Sequence, residues 1–211
     1  RNGKWAEKRW NVRYRARKSL SAFNRADLLI SISTPVQDNL LAFPKARNAE
    51  IYPSYLDRLE CLKDFSSVNP KSTYILYNGV DTKLFHEGSE SVKSKEVFRI
   101  GCIGNFQELK DHITLIKAFE IFLKSLELRG ESLEHFKLSL LGSGETKEFC
   151  MEYLKSHDLM QYVEWPEEVT HDKLPEYYQS LDLFVLPSVY EGFGCVYTEA
   201  YACGVPFMGV Y

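Results

Sequence analysis

From Phe98 onward, short apolar runs alternate with longer amphipathic ones, and this alternation constrains the fold more than any other feature of the sequence. "FRIGCIG" is followed by "DHITLIKAFEIFLKSL", and "FKLSLLGSG" by "TKEFCMEYLKSHDL"; then come "YVEW", "HDKLPEYYQSL", "LDLFVLPS", "TEAYACG" and "VPFMGV". In the first amphipathic run, Ile113, Leu115, Ile116, Phe119 and Leu123 recur at a spacing that suits a packed helix. Gly204 reads as the stop of the last one. Apolar strands separated by helices predict a parallel sheet covered on both faces, an α/β fold of Rossmann type.

The part before Glu96 holds only two convincing strands, too few for a second doubly wound domain. "ADLLISIS" reads as a short buried strand, and "TYILYNGVD" as a strand that ends in an Asn-Gly turn. "TPVQDNLLAF" begins like a helix, with Thr34 as its cap and Pro35 at its first position. The opening 26 residues read as a basic helix with Trp5, Trp10 and Tyr14 near a common face. Such a helix either packs with a solvated basic side, its ordinary fate, or lies on acidic lipid headgroups. Between Pro44 and Pro70 the signals are mixed, with "YLDRLECLKDF" as a candidate short helix. "EGSESVKSKE" is polar and small, as a linker is. The resulting division is an incomplete first domain at 1–85, a linker at 86–96 and a second domain at 97–211. The chain starts at Arg1 rather than Met, and it reads as a segment of something longer.

A net charge of -3, with 26% charged and 45% hydrophobic residues, is ordinary for a globular chain and gives no case for binding nucleic acid. No apolar run approaches the roughly 20 residues that span a bilayer. The five cysteines, Cys61, Cys102, Cys150, Cys195 and Cys203, are scattered without a CxxC pair, so neither a zinc site nor a disulfide scaffold is expected. Reduced thiols in apolar surroundings point to a cytoplasmic compartment.

In open parallel sheets, ligands bind where strand ends, loops and helix starts converge. Those places carry the unusual residues here: Gly104, Asn105 and Lys110 after one strand, Ser143, Gly144 and Glu145 after the next, and Glu191, Gly192, Phe193 and Gly194 after "LFVLPS". Glycines let backbone N–H groups approach a ligand, and a helix start adds partial positive charge that suits phosphate. "GSGETK" lacks the third glycine of a dinucleotide fingerprint, and no P-loop, GxSxG elbow or HExxH pattern is present. With no Asp-x-Asp to hold a cation, a diphosphate at this site must be neutralised by amides and Lys110. Glu191 and Glu199 lie about 80° apart on an ideal helix. With Glu191 in the loop and Glu199 in the helix, both can face one crevice and accept hydrogen bonds from sugar hydroxyls. The chemistry alone equally allows Glu191 as a turn residue and Glu199 as a solvated helix position.

Four blocks in order, "ADLLISIS" with "YILYNGVDTKLF", "IGCIGNFQELKDHITLIKAF", "LSLLGSGE" and "LPEYYQSLDLFVLPSVYEGFGCVYTEAYACGVPF", give the chain its likeness to a known group. It resembles the retaining, nucleotide-sugar-dependent glycosyltransferases of the GT-B fold, the glycogen-synthase-like and mannosyltransferase-like group called family 4. The last block is the specific one, with two glutamates separated by seven residues.

The resemblance implies a GT-B C-terminal domain with a Rossmann-like sheet, cut before its last strand and helices, plus a remnant of the N-terminal acceptor domain. It implies transfer of a sugar from a UDP-, GDP- or ADP-sugar to a glycan or lipid-linked acceptor hydroxyl, with retention, no cofactor and no metal. Lys110 would stabilise the leaving diphosphate and Glu191 would act at the donor sugar or the reacting face. Glu199 would bind the ribose. Gly192, Phe193 and Gly194 would offer amides, and Gly104 with Asn105 would border the diphosphate. Gly142, Ser143 and Gly144, with the loop Glu164 to Pro166, would lie near base and ribose.

The chain departs from the family at three positions. Asn105 stands where a basic residue is usual, Asp111 where glycine follows the lysine, and Pro166 where glycine is usual near the base. Asn105 keeps a non-catalytic nucleotide-sugar binder open as an alternative. An epimerase or phosphorylase on the same architecture is another. A cytoplasmic enzyme, with peripheral membrane contact only through the basic N-terminal helix, completes the expectation.

Overall fold

The computed structural model describes residue 14 and residues 17–41, 70–88 and 96–209. Trp5, Trp10, the candidate helix "YLDRLECLKDF", Cys61 and most of the "EGSESVKSKE" run lie outside the described residues. The chain divides into two compact units, Arg1–Asn78 and Gly79–Tyr211.

In the first unit residues 17–25 are helical, and β1 (Leu29–Ser31), α1 (Thr34–Leu41) and β2 (Thr73–Ile75) follow. β1 and β2 pair in parallel, Leu29 opposite Thr73 and Ser31 opposite Ile75. β1 is not buried throughout, as its apolar run suggested. Leu29 and Ser31 face inward while Leu28, Ile30 and Ile32 are exposed, the alternation of a strand covered on one face. The cap of α1 is Ser33 rather than Thr34: the Ser33 hydroxyl accepts from the Val36 amide at 3.3 Å, which leaves Thr34 and Pro35 inside the first turn. The Asn-Gly turn is also absent. Asn78 and Gly79 run without a turn, and the chain bends further on, where the Leu84 and Phe85 amides donate to the Asp81 carbonyl at 3.1 and 2.8 Å.

The second unit carries β3 (Phe98–Ile103), α2 (His112–Leu128), β4 (Phe136–Leu141), α3 (Lys147–Ser156), β5 (Val163–Glu164), α4 (Leu174–Gln179), β6 (Leu183–Leu186), α5 (Cys195–Ala202) and β7 (Phe207–Gly209). The strands form one parallel sheet in the order β5-β4-β3-β6-β7. Cys102, Leu138, Leu140, Phe184 and Leu186 are fully buried in its central strands, whereas Phe207 and Met208 are exposed on edge strand β7. α2 covers the sheet with Leu115, Ile116, Phe119 and Leu123, four of the five positions that the periodicity marks, while Ile113 is partly buried. A 3-10 turn at His171–Lys173 precedes α4, so Pro175 falls in the first turn, where its missing amide costs nothing. Residues 79–88 pack with this unit: Phe85 is buried with its ring edge-on to Tyr178 and His171, and the Gln179 side-chain amide donates to the His86 carbonyl at 2.8 Å.

Candidate active site

The strand order reverses between β3 and β6, so chain leaving β3 goes one way and chain leaving β6 the other. This opens a crevice at their carboxyl ends. From β3 come Gly104, Asn105 and Phe106, then a 3-10 turn at Glu108–Lys110 and the start of α2. From β6 come Ser188, Val189, Glu191 and Gly194, then α5. The Val189 amide donates to the Leu109 carbonyl at 3.0 Å and ties the two loops together. Lys110 Nζ donates to Glu191 Oε1, an ion pair with both side chains about a quarter exposed at 26% and 22%. Two residues 81 positions apart thereby place a cation and a carboxylate at the mouth of the switch.

Glu199, half-buried on α5, accepts a hydrogen bond from the Tyr178 hydroxyl at 2.8 Å. Tyr178 is fully buried, and burial first, then the Glu199 charge, push its phenol well above the ordinary range. It is therefore a fixed donor that orients the carboxylate, and Glu199 is not a freely solvated helix position. Gly194 takes φ +78° ahead of α5, and a Cβ there would meet the Tyr197 ring at 2.6 Å. That ring is pinned by its hydroxyl, which donates to the Leu186 carbonyl at 2.6 Å; burial pushes the phenol up to about 12.

The Gly142–Ser143–Gly144 loop packs directly on the loop after β3. Gly104 N donates to the Leu141 carbonyl at 3.1 Å, Phe106 N to the Ser143 carbonyl at 2.8 Å and Thr146 N to the Phe106 carbonyl at 3.1 Å. A Cβ on Gly142 would lie 2.1 Å from the Gly104 carbonyl oxygen, and one on Gly144 2.4 Å from that of Phe106. The close approach these glycines allow is thus loop on loop.

The remaining expected residues divide. Asn105 is exposed beside Phe106, and Pro166 is half-buried after Trp165. Glu164 does not join the switch. It lies level with Ser139 and Gly101, within the sheet, and its carboxylate accepts from Arg99 Nε at 3.2 Å.

Three neighbours were not singled out from sequence. Lys147 Nζ donates to the Gly142 carbonyl at 3.0 Å and lies 5.1 Å from the Trp165 ring centroid and 5.8 Å from that of Phe106. A lysine in the first turn opposes the helix dipole, and that mismatch was the available signal. Phe106 is buried under it, and His112 stacks on Phe106 with centroids 3.9 Å apart.

Asp111, between Lys110 and α2, is left-handed at φ 49°, and its carboxylate accepts from the Thr114 hydroxyl at 2.8 Å. Asp111→Gly should be about 1 kcal/mol more stable than Asp111→Ala, because both lose that bond and only alanine resists the backbone angle. Urea midpoints read the difference, and equal midpoints would mean the position does not need a left-handed residue.

Among the described residues, no three His, Cys, Asp or Glu side chains are grouped to hold a metal ion. Of the five cysteines, Cys102, Cys150, Cys195 and Cys203 are described, and none of these four is in a disulfide. Among the described residues, no helix is long and apolar enough to cross a membrane.

Residues 86–209 match the family described as glycosyl transferases group 1, more than half of the chain. The chain belongs to that family.

Among its relatives, the N-acetylgalactosamine-N,N'-diacetylbacillosaminyl-diphospho-undecaprenol 4-alpha-N-acetylgalactosaminyltransferase of Campylobacter jejuni is 30% identical over 77% of this chain and 41% of its own length. The mannosylfructose-phosphate synthase of Agrobacterium fabrum is 24% identical over 95% of the chain, again 41% of its own length. This group 1 chain therefore spans about two fifths of those relatives. Sucrose-phosphate synthase from Thermosynechococcus elongatus superposes with TM-score 0.65 at 20% identity, over 90% of this chain and 42% of that one. HepE from Anabaena, solved with UDP and glucose, gives TM-score 0.64 at 20% identity, over 94% and 47%. The fold of this group 1 chain is thus the α/β fold of GT-B glycosyltransferases, with the five-stranded parallel sheet that the alternation predicted.

Proposed function

We propose that the second unit is the donor-binding domain of a glycosyltransferase that moves a sugar from a nucleotide sugar to an acceptor hydroxyl, with retention of configuration and without a metal. The observation that carries this reading is the Lys110–Glu191 pair at the strand switch. In a bound donor, the diphosphate competes with Glu191 for the Lys110 ammonium. Lys110 then offsets the charge that develops on the leaving diphosphate, an interaction that strengthens as the anomeric bond breaks. Glu191, released from the lysine, accepts from hydroxyls of the donor sugar.

Glu199, held by Tyr178, accepts from the ribose, and the amides of Gly192, Phe193 and Gly194 line the start of α5. Gly104 and Asn105 border the diphosphate; Gly142, Ser143, Gly144 and Pro166 border the nucleoside. Glu164 has a lesser claim to a donor role, given its bond to Arg99. The acceptor is a glycan or a lipid-linked sugar, in a cytoplasmic setting that suits the scattered cysteines, none of the described ones being in a disulfide. A non-catalytic nucleotide-sugar binder is the second reading, favoured by Asn105, which puts an amide where a second cation is usual.

Calorimetry with UDP, GDP and ADP tests the domain assignment. One of the three should bind in the micromolar range, and Glu199→Ala should weaken it at least tenfold, the loss of a charged acceptor from two hydroxyls. If none of the three binds the unaltered protein, the donor-domain reading fails.

A further inference from the structure

His112 is the first residue of α2, a 17-residue helix whose N-terminus faces the switch. It is 1% exposed, and neither ring nitrogen has a hydrogen-bond partner. Leaving a buried polar group unpaired is costly, and a histidine here does nothing for packing that phenylalanine would not do, since one face already stacks on Phe106 at 13° between ring planes. The ring is also aimed. Its Cε1–Nε2 edge points at Gly104, 3.9 Å from where a Cβ would stand, with Leu186 Cδ1 equally close. Gly104 is the residue at which β3 gives way to the loop that borders the crevice. A second buried and unpaired group, the Ser188 hydroxyl, lies at the matching end of β6, next to the amide that binds Leu109. Burial, and then the Lys110 charge, lower the His112 pKa to about 4, so the imidazole is neutral near pH 7, with one N–H donor and one lone pair.

We infer that His112 is a positioning residue for the diphosphate, giving its N–H past the bare edge of Gly104 to a diphosphate oxygen, directly or through one water. This rests on the donor-site reading above and adds a residue to it. A neutral donor suits the place: it fixes one oxygen by direction, while Lys110 supplies the charge. Its unpaired state without donor is a stability cost held for binding, as functional sites commonly show.

The test is the ratio of affinities for a nucleoside diphosphate and the matching monophosphate, measured by calorimetry beside urea unfolding. His112→Phe keeps the stack and removes both unpaired nitrogens. It should unfold at a higher urea midpoint yet lose about tenfold in diphosphate affinity, with monophosphate affinity unchanged. His112→Asn restores an N–H and should recover part of the diphosphate preference while being less stable than either. A purely structural histidine predicts an unchanged ratio in both variants, and that result overturns the inference while leaving the donor site standing. If the unaltered protein binds no nucleoside diphosphate, the donor-site reading falls first and takes this one with it. Should His112→Phe fail to fold, nitrogen NMR of the unaltered protein decides: the His112 ring signals must move with diphosphate and not with monophosphate, and their failure to move overturns the assignment.

Discussion

Lys110→Ala should lower turnover by the full-length protein 10²–10³-fold, with most of the loss in kcat, the range seen when one preorganised group is removed from a developing negative charge. The proposed reason is differential: on the donor-site reading the ammonium would help bound donor somewhat, and the departing diphosphate more. Folding should change by less than about 1 kcal/mol, because the Lys110–Glu191 pair is partly solvated and such pairs contribute little. Steady-state kinetics with denaturation as a control separates the two. EDTA should leave turnover unaltered. Turnover abolished by EDTA and restored by magnesium would contradict the charge role given to Lys110.

Gly142→Ala should cost at least about 3 kcal/mol of stability, a large share of the 5–15 kcal/mol typical of a domain. Two effects add. Gly142 holds φ +141°, which other residues rarely adopt, and the new methyl would stand 2.1 Å from the Gly104 carbonyl oxygen. That oxygen belongs to a backbone fixed between β3 and the crevice, so it cannot rotate away as a side-chain end could. Gly79→Ala is the control: nothing lies within 4 Å of its Cβ position, its φ is outside the left-handed range, and its midpoint should hardly move. Urea midpoints that fall equally in the two variants would remove the loop-on-loop explanation.

Much of the second unit was legible because its signals are local. Strands covered on both faces are mostly apolar, and helices that cover them are apolar at helical spacing, so "FKLSLL" and "ITLIKAFEIFL" announce their partners. Local signals failed where neighbours decide. Ile30 and Ile32 look as buried as Leu29, but β1 is covered on one side only. "YNG" carries turn chemistry, yet the turn forms at Asp81 instead. The glycines of "GSG" were legible as necessary, although what they accommodate is another loop.

At the site, sequence by itself determined which residue types stand at the strand ends: two glutamates, one lysine and glycines at each loop. Order along the chain and the likeness of four blocks reach that far, because strand ends follow from periodicity. Tertiary structure alone decided who meets whom. Parallel pairing with the reversal between β3 and β6 brings Lys110 to Glu191, gives Glu199 to Tyr178 and removes Glu164 to Arg99. It also buries His112 with both nitrogens unpaired, which no spacing can reveal. The physical reason is that a periodic pattern encodes burial one residue at a time, whereas contact between strand ends depends on sheet order and register.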